Sequence, residues 1–288
     1  MQVFTMNKLR KNYLVYPCEI MRITQNYLGK TSHLPHTTGN IKDYPIDEAC
    51  KDTGRNYMYC PCDEMKVIRI YGVGTKGTNT IWLESTSKVL FADGTTDYFT
   101  MLVIHPNDDD LKKIKVGDVF IRGEKICREG IDGATANHLH ISGGKGKCKG
   151  NGWACNTKNK YVLTTSNGAF KPEALFYLDA KFTTVVSKGG IAFKSLPSEA
   201  YAPIYTTGKY KVTKANTLRV RFKPAATGAY KKFDELYSVT QNNIKKISGG
   251  KPVDGFPKGL TFTVTKVQDN WGYSKSGWTC LDYCAKVK

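Results

Sequence analysis

The chain has 288 residues, 40% of them hydrophobic and 11% aromatic, which is enough for two domains with a core in each. It holds no run of eighteen apolar residues, which argues against a membrane span. Its net charge of +18 implies an anionic partner such as nucleic acid, an acidic membrane or a teichoic-acid-bearing wall. Nucleic acid is set aside, because the lysines are dispersed and no DNA- or RNA-binding motif occurs.

Twenty-seven Gly and seventeen Tyr favour β structure. Residues 1–10 are polar and basic with no apolar stretch behind them, so no secretory signal peptide is expected. The nine cysteines (18, 50, 60, 62, 127, 148, 155, 280 and 284) are an odd count and are read as reduced thiols of a cytoplasm. Neither Cys60-Pro61-Cys62 nor Cys280 and Cys284 has the C-x₂-C spacing of a structural zinc site, so they are read as small buried hydrophobes.

In chain order, residues 21–23 read as a strand, 25–35 as loop and 42–48 as an extended segment entering the core. Residues 66–71 alternate as a strand, and 72–79 form a Gly-rich turn. Short strands are expected at 80–84 and 88–91, with Ala92-Asp93-Gly94 as a hairpin turn. A strand at 98–105 leads to an acidic turn, a helical turn at 111–113 and two Gly-bounded turns in 115–123. Residues 137–142 read as strand, and 171–178 as the one helix, with Pro172 suited to its first turn. Residues 181–208 have no clear period and read as a linker. Beyond them, 210–212, 218–221, 260–264 and 271–273 are short strands of a small β-barrel.

All five histidines (33, 36, 105, 138 and 140) lie in the first half. In Asn137-His138-Leu139-His140-Ile141, a strand puts both imidazoles on one face and Leu139 and Ile141 on the other. Taken alone, an H-x-H is also what a chance surface pair looks like. Asp47 ends an apolar approach, Tyr44-Pro45-Ile46, and a buried carboxylate there needs a partner. The bland alternative makes Asp47 the start of a turn with Glu48 exposed beside it. A His/Asp/His set with an open position is the form of a catalytic zinc. Cys50, three residues past Asp47, offers a thiol nucleophile, but the histidines are better explained as a metal set.

The order Ile23-Thr24-Gln25, Ser32-His33, Asp47, Ile104-His105, Val116-Gly117-Asp118, Gly123, Gly130, Gly133 and His138-Leu139-His140 resembles the lysostaphin-type zinc metallopeptidases over residues 20–178. The resemblance implies an antiparallel β-sheet with a shallow groove, a Zn²⁺ held by His33, Asp47 and His140, and His105 and His138 as catalytic, non-ligand histidines. The family keeps its first His and the Asp four residues apart; here they are fourteen apart, which implies an inserted loop at 35–42. His36 is a rival first ligand, and His33 is preferred because Ser32-His33 follows the Thr24-Gln25-Asn26-Tyr27 stretch as the family motif does.

Residues 209–288 resemble a bacterial SH3-like cell-wall-binding domain, through Tyr210-Lys211-Val212, Leu218 to Arg221, Phe256 to Gly259, Trp271-Gly272-Tyr273 and Gly277-Trp278. Tyr237, Trp271, Tyr273 and Trp278 would line its aromatic groove, unless the tryptophans are core residues of the barrel. The fold expected is mainly β: a peptidase domain at 1–180, a linker at 181–208 and an SH3-like barrel at 209–288. The function these resemblances imply is a monomeric zinc endopeptidase of Gram-positive peptidoglycan. It would be a phage or prophage endolysin, held in the host cytoplasm until a holin releases it to the wall. The alternative is a non-catalytic wall-binding or morphogenesis protein with a peptidase-like domain.

Overall fold

A computed structural model of the chain describes residues 9–33, 43–49, 56–74, 78–148, 153–155, 161–163, 169–201, 203 and 205–287. The chain forms two compact units, 1–202 and 203–288. Both are mainly β, as the composition implies.

The first unit is built on an eight-stranded sheet: β1 (Ile20–Gln25), β2 (Ile46–Glu48), β3 (Glu64–Tyr71), β4 (Thr80–Ser85), β5 (Phe99–Ile104), β6 (Val119–Ile121), β7 (Leu139–Lys145) and β8 (Thr184–Ser187). Their order across the sheet is β8-β1-β2-β7-β5-β4-β3-β6. All neighbours are antiparallel except β8, which runs parallel to β1 at one edge. The period-2 pattern separates the two faces. Ile46, Val67, Ile81, Leu83, Met101, Val103, Leu139 and Ile141 enter the main core with Leu14, Tyr16 and Phe176. Trp82 and Leu102 point the other way and pack with Ala169 in a smaller cluster.

Several expected elements shift. The strand read at 98–105 stops at Ile104, and the helix read at 171–178 is the single turn Pro172–Leu175, followed by the short strand Tyr177–Leu178. Ala92-Asp93-Gly94 does turn a hairpin, between Val89–Leu90 and Thr96–Asp97, with Gly94 at φ +89°. The segment read as a linker contains β8 and the 3₁₀ turn Ser198–Ala200, and Leu196 and Ala200 are buried within the first unit. Cys18, Cys60, Cys62 and Cys127 are free and buried, whereas Cys148, Cys280 and Cys284 are free and half-buried. Cys50 lies outside the described residues.

The second unit holds a three-stranded sheet, Thr261–Val264, Gly208–Val212 and Cys284–Lys286 in that spatial order, and a three-stranded meander, Lys266–Gln268, Trp271–Ser274 and Gly277–Cys280. Among the described residues these sheets do not close into a barrel. Tyr210, Val212, Phe262 and Val264 point into its core, and Lys209 and Lys211 point out. A ten-residue helix, Ser238–Ile247, was not expected; it buries Ile244 in the same core. Trp271, Tyr273 and Trp278 are half-buried and alternate with the buried Gly272, Ser274 and Gly277, so neither tryptophan is a fully enclosed core residue. No helix of the described residues is long and apolar enough to cross a membrane.

Candidate metal centre

Sheet register assembles the site. Asp47 on β2 stands directly opposite His140 on β7, and His140 on its other side stands opposite Ile104 on β5. Opposed residues share a face, so Asp47 and His140 project together from the side away from the main core. Glu48 therefore points into the core, not out to solvent as the bland reading had it. There its carboxylate accepts hydrogen bonds from the Tyr16 hydroxyl and the Arg22 amide, and burial pushes its pKa up to about 8.

His33 comes from the turn after β1, where its amide donates to the Gly29 carbonyl at 3.1 Å. His105 follows β5 with φ +65°, a left-handed conformation costly for a side-chain-bearing residue. That turn takes its imidazole off the strand path and beside His138, with ring centroids 4.5 Å apart. Gly130 makes the close approach possible: a Cβ there would lie 2.7 Å from the His105 carbonyl oxygen. His138 immediately precedes β7, and its amide donates to the Gly130 carbonyl at 3.0 Å.

Three side chains converge. His33 Nε2 and His140 Nδ1 each lie 3.1 Å from Asp47 Oδ1, and the three candidate ligand atoms all lie within 4.8 Å of one another. The chemistry of this set tests whether it fits a metal. His33 Nδ1 is 2.9 Å from the Asn26 carbonyl oxygen. A carbonyl only accepts, so Nδ1 carries a proton, which leaves Nε2 as the atom turned towards Asp47. The short approach of Nε2 to Oδ1 is bridged by a cation, either a second ring proton or a metal ion. Ligand atoms on a tetrahedral ion with bonds of about 2.0–2.2 Å sit about 3.4 Å apart, close to the two 3.1 Å separations from Asp47 Oδ1. The cluster is thus suited to a metal ion, and it uses every residue expected as a ligand. His36 lies outside the described residues.

The electrostatics agree. Burial opposes the Asp47 charge, but His140 and His33 outweigh it and hold the carboxyl well below the usual range. Burial pulls His140 down, against the pull of Asp47. Burial thus favours the neutral, ligating form of His140 that a metal needs.

His105 and His138 stand beside this cluster. His138 Nε2 is 3.7 Å from Asp47 Oδ1, and its Nδ1 faces the Ala136 carbonyl at 2.9 Å. His105 Nδ1 faces the Asp132 carbonyl at 2.6 Å. Both rings are therefore held with Nδ1 protonated, which leaves Nε2 as the atom through which each can exchange a proton. Burial above all, with help from His138, pushes the His105 pKa down to about 4, so the ring is neutral at neutral pH.

The residues that orient the site were not singled out in the sequence. The Gln25 amide Nε2 donates to Asp47 Oδ2 at 2.9 Å, and the Thr24 hydroxyl donates to the Asp47 carbonyl at 3.2 Å. Gln25 belongs to the quoted motif but had no role there. Asn26, Asp132 and Ala136 act through backbone carbonyls, which no side-chain pattern reports. A shallow depression of about 450 Å³ is lined by Thr24, Gln25, Asn26, Gly29, Lys30, Thr31 and Gly189; of the residues that contact Asp47 it includes Thr24 and Gln25, but not the three clustered side chains themselves.

No family model and no curated protein sequence matches the chain. Among solved structures, it is similar to a zinc containing peptidase from Vibrio cholerae at 20% identity, covering 48% of this chain and 37% of that one, with a TM-score of 0.29. It is similar to the catalytic domain of the antimicrobial peptidase lysostaphin from Staphylococcus simulans at 19% identity, covering 58% and 89% of the two chains, with a TM-score of 0.28. Against lysostaphin itself the identity is 16%, the cover 97% and 89%, and the TM-score 0.31. The chain thus spans little more than a third of the Vibrio protein's length, and at TM-scores this low no residue role is transferred from any of them.

Proposed function

We propose that the chain is a zinc-dependent endopeptidase that hydrolyses peptide bonds of bacterial peptidoglycan, working as a phage or prophage endolysin. The observation behind this reading is the convergence of His33, Asp47 and His140 on one point, with two further imidazoles alongside. Two imidazole nitrogens and one carboxylate oxygen suit zinc, and three protein ligands leave a position open for catalysis. When bound there, zinc supplies Lewis acidity that makes water nucleophilic near neutral pH and draws electron density from a peptide carbonyl. His33, Asp47 and His140 would hold the ion. His105 or His138 accepts the proton of the attacking water at Nε2 and passes it to the leaving amine. Either imidazole, once it carries a proton at Nε2, would hydrogen-bond the carbonyl oxygen as charge builds on it.

Peptidoglycan as substrate rests on the motif order in the sequence and on charge. Residues 203–288 contain 16 Lys and Arg against 5 Asp and Glu, which suits an anionic Gram-positive wall. We read this unit as an SH3-like wall-binding module, with the half-exposed Trp271, Tyr273 and Trp278 as its contact residues. In this reading the protein is a monomer held in the host cytoplasm until a holin pore admits it to the wall. A wall-binding module then raises the effective substrate concentration at the catalytic unit.

The test is hydrolysis. Purified chain incubated with Gram-positive walls is expected to release new amino termini and clear the suspension; a chelator stops both and added Zn²⁺ restores them. Walls left intact by the zinc-loaded chain would sink the proposal. Deleting residues 203–288 is expected to abolish co-sedimentation with walls while turnover of a soluble peptide changes by less than about threefold, since tethering raises local concentration without adding a contact to the reacting bond. Equal loss of both would remove the targeting role.

A further inference from the structure

We infer that Gln25 is the positioning residue of the metal centre, and that Gly29 is glycine to make room for it. The inference rests on the metal reading above. Gln25 is the β1 residue paired with Asp47 on β2, so its side chain reaches the carboxylate across one strand spacing. One hydrogen of its amide goes to Asp47 Oδ2 at 2.9 Å, and the other to Ser32 Oγ at 2.8 Å, next to His33. The amide oxygen cannot face a carboxylate oxygen without repulsion, which fixes the amide's orientation.

The two carboxylate oxygens are thus divided. Oδ1 faces both ligand imidazoles, and Oδ2 is taken by an amide donor. A carboxylate held this way offers one oxygen to a metal and keeps the second from competing for the open position. The same amide joins the strand that carries Asp47 to the turn that carries His33, so two ligands are oriented by one side chain.

Gly29 supports this independently. It does not adopt the left-handed conformation, so its backbone does not demand glycine. What demands it is space: a Cβ would lie 2.2 Å from Gln25 Cγ and 2.7 Å from Cδ. An alanine there must push the Gln25 side chain from its place, because the clash is with its stem and not only its far end.

The experiment uses the full chain and measures Zn²⁺ affinity by competition with a chromophoric chelator, and the visible spectrum of the Co²⁺-loaded protein. Gln25→Met keeps the reach and packing but has no donor. It is expected to weaken Zn²⁺ binding by about 10- to 100-fold, as loss of an outer hydrogen-bonding partner does, and to change the Co²⁺ spectrum, with the melting temperature of the metal-free chain unchanged. Gly29→Ala is expected to weaken binding in the wild type and to add nothing to Gln25→Met, as coupled neighbours do. Wild-type affinity with a wild-type Co²⁺ spectrum in Gln25→Met overturns the role of Gln25. A Gly29→Ala loss of equal size in both backgrounds overturns that of Gly29. A wild-type chain that binds neither ion is a different result, and overturns the metal centre itself.

Discussion

Asp47→Ala and His140→Ala are expected to lose zinc, and with it all hydrolysis, while the chain stays folded. Each removes one of three protein donors, so the loss of affinity exceeds the about 10- to 100-fold that an outer partner costs. Folding survives because both side chains project from the sheet face away from the main core, and neither belongs to that core. Asp47→Ala also removes a buried carboxylate that the metal-free protein must stabilise through His33, His140 and the Gln25 amide. The readout is melting with and without zinc. At a hundredfold excess over the dissociation constant, zinc stabilises the wild type by about 2.7 kcal/mol. For a unit of this size that is roughly 5–10 °C, and both variants are expected to show none of it. His33→Ala is expected to behave likewise, since His33 is fully buried with Nε2 on Asp47. His36→Ala is expected to keep the full shift. If His36→Ala lost it and His33→Ala kept it, the choice of first ligand would be reversed.

What the sequence revealed of this site follows from which interactions are local in pattern. His138 and His140 were legible because a strand places alternate residues on one face, and Leu139 and Ile141 confirmed the direction by their burial. Asp47 was legible as a carboxylate after an apolar approach. Its partner His140 came only from the family resemblance, because register between β2 and β7, ninety-three residues apart at His140 and Asp47, leaves no local trace. The alternative with Glu48 exposed fails on the same ground: one residue along a strand reverses the face, and only pairing decides which face is buried. β8 reads as linker in the sequence because Thr184, Val185 and Val186 are all exposed, so this edge strand shows no alternation of polarity. The helix Ser238–Ile247 buries Ile244 alone and so has no apolar stripe to reveal it. By contrast, the strand Gly208–Val212 alternates Lys209 and Lys211 with the buried Tyr210 and Val212, and was read correctly. The second unit's composition marked it as β-rich, but whether its sheets close is a matter of long-range pairing.

His105→Ala and His138→Ala are expected to separate catalysis from metal binding. Both should keep one zinc per chain and the zinc-dependent melting shift, while kcat on a soluble peptide falls by about 10²- to 10⁴-fold, the usual worth of a positioned acid or base. The geometry argues for this division. Each ring has Nδ1 committed to a backbone carbonyl, Asp132 for His105 and Ala136 for His138, so each is held with a proton on Nδ1 and Nε2 as the atom that exchanges one. Neither belongs to the cluster whose ligand atoms lie within 4.8 Å of one another. KM should change little, because a proton-transfer group stabilises the transition state more than bound substrate. His138 is the more exacting case, with its Nε2 3.7 Å from Asp47 Oδ1. If His138→Ala lost zinc as His140→Ala does, His138 would be a fourth ligand and the open position would disappear. His105 has no such second reading: its left-handed backbone, with the close packing of Gly130 against its carbonyl, is a local cost that fold stability does not require. His105→Gly is therefore expected to relieve that cost and raise the melting temperature of the metal-free chain while removing activity as fully as His105→Ala, and a glycine variant that melts lower would show the strain to be absent.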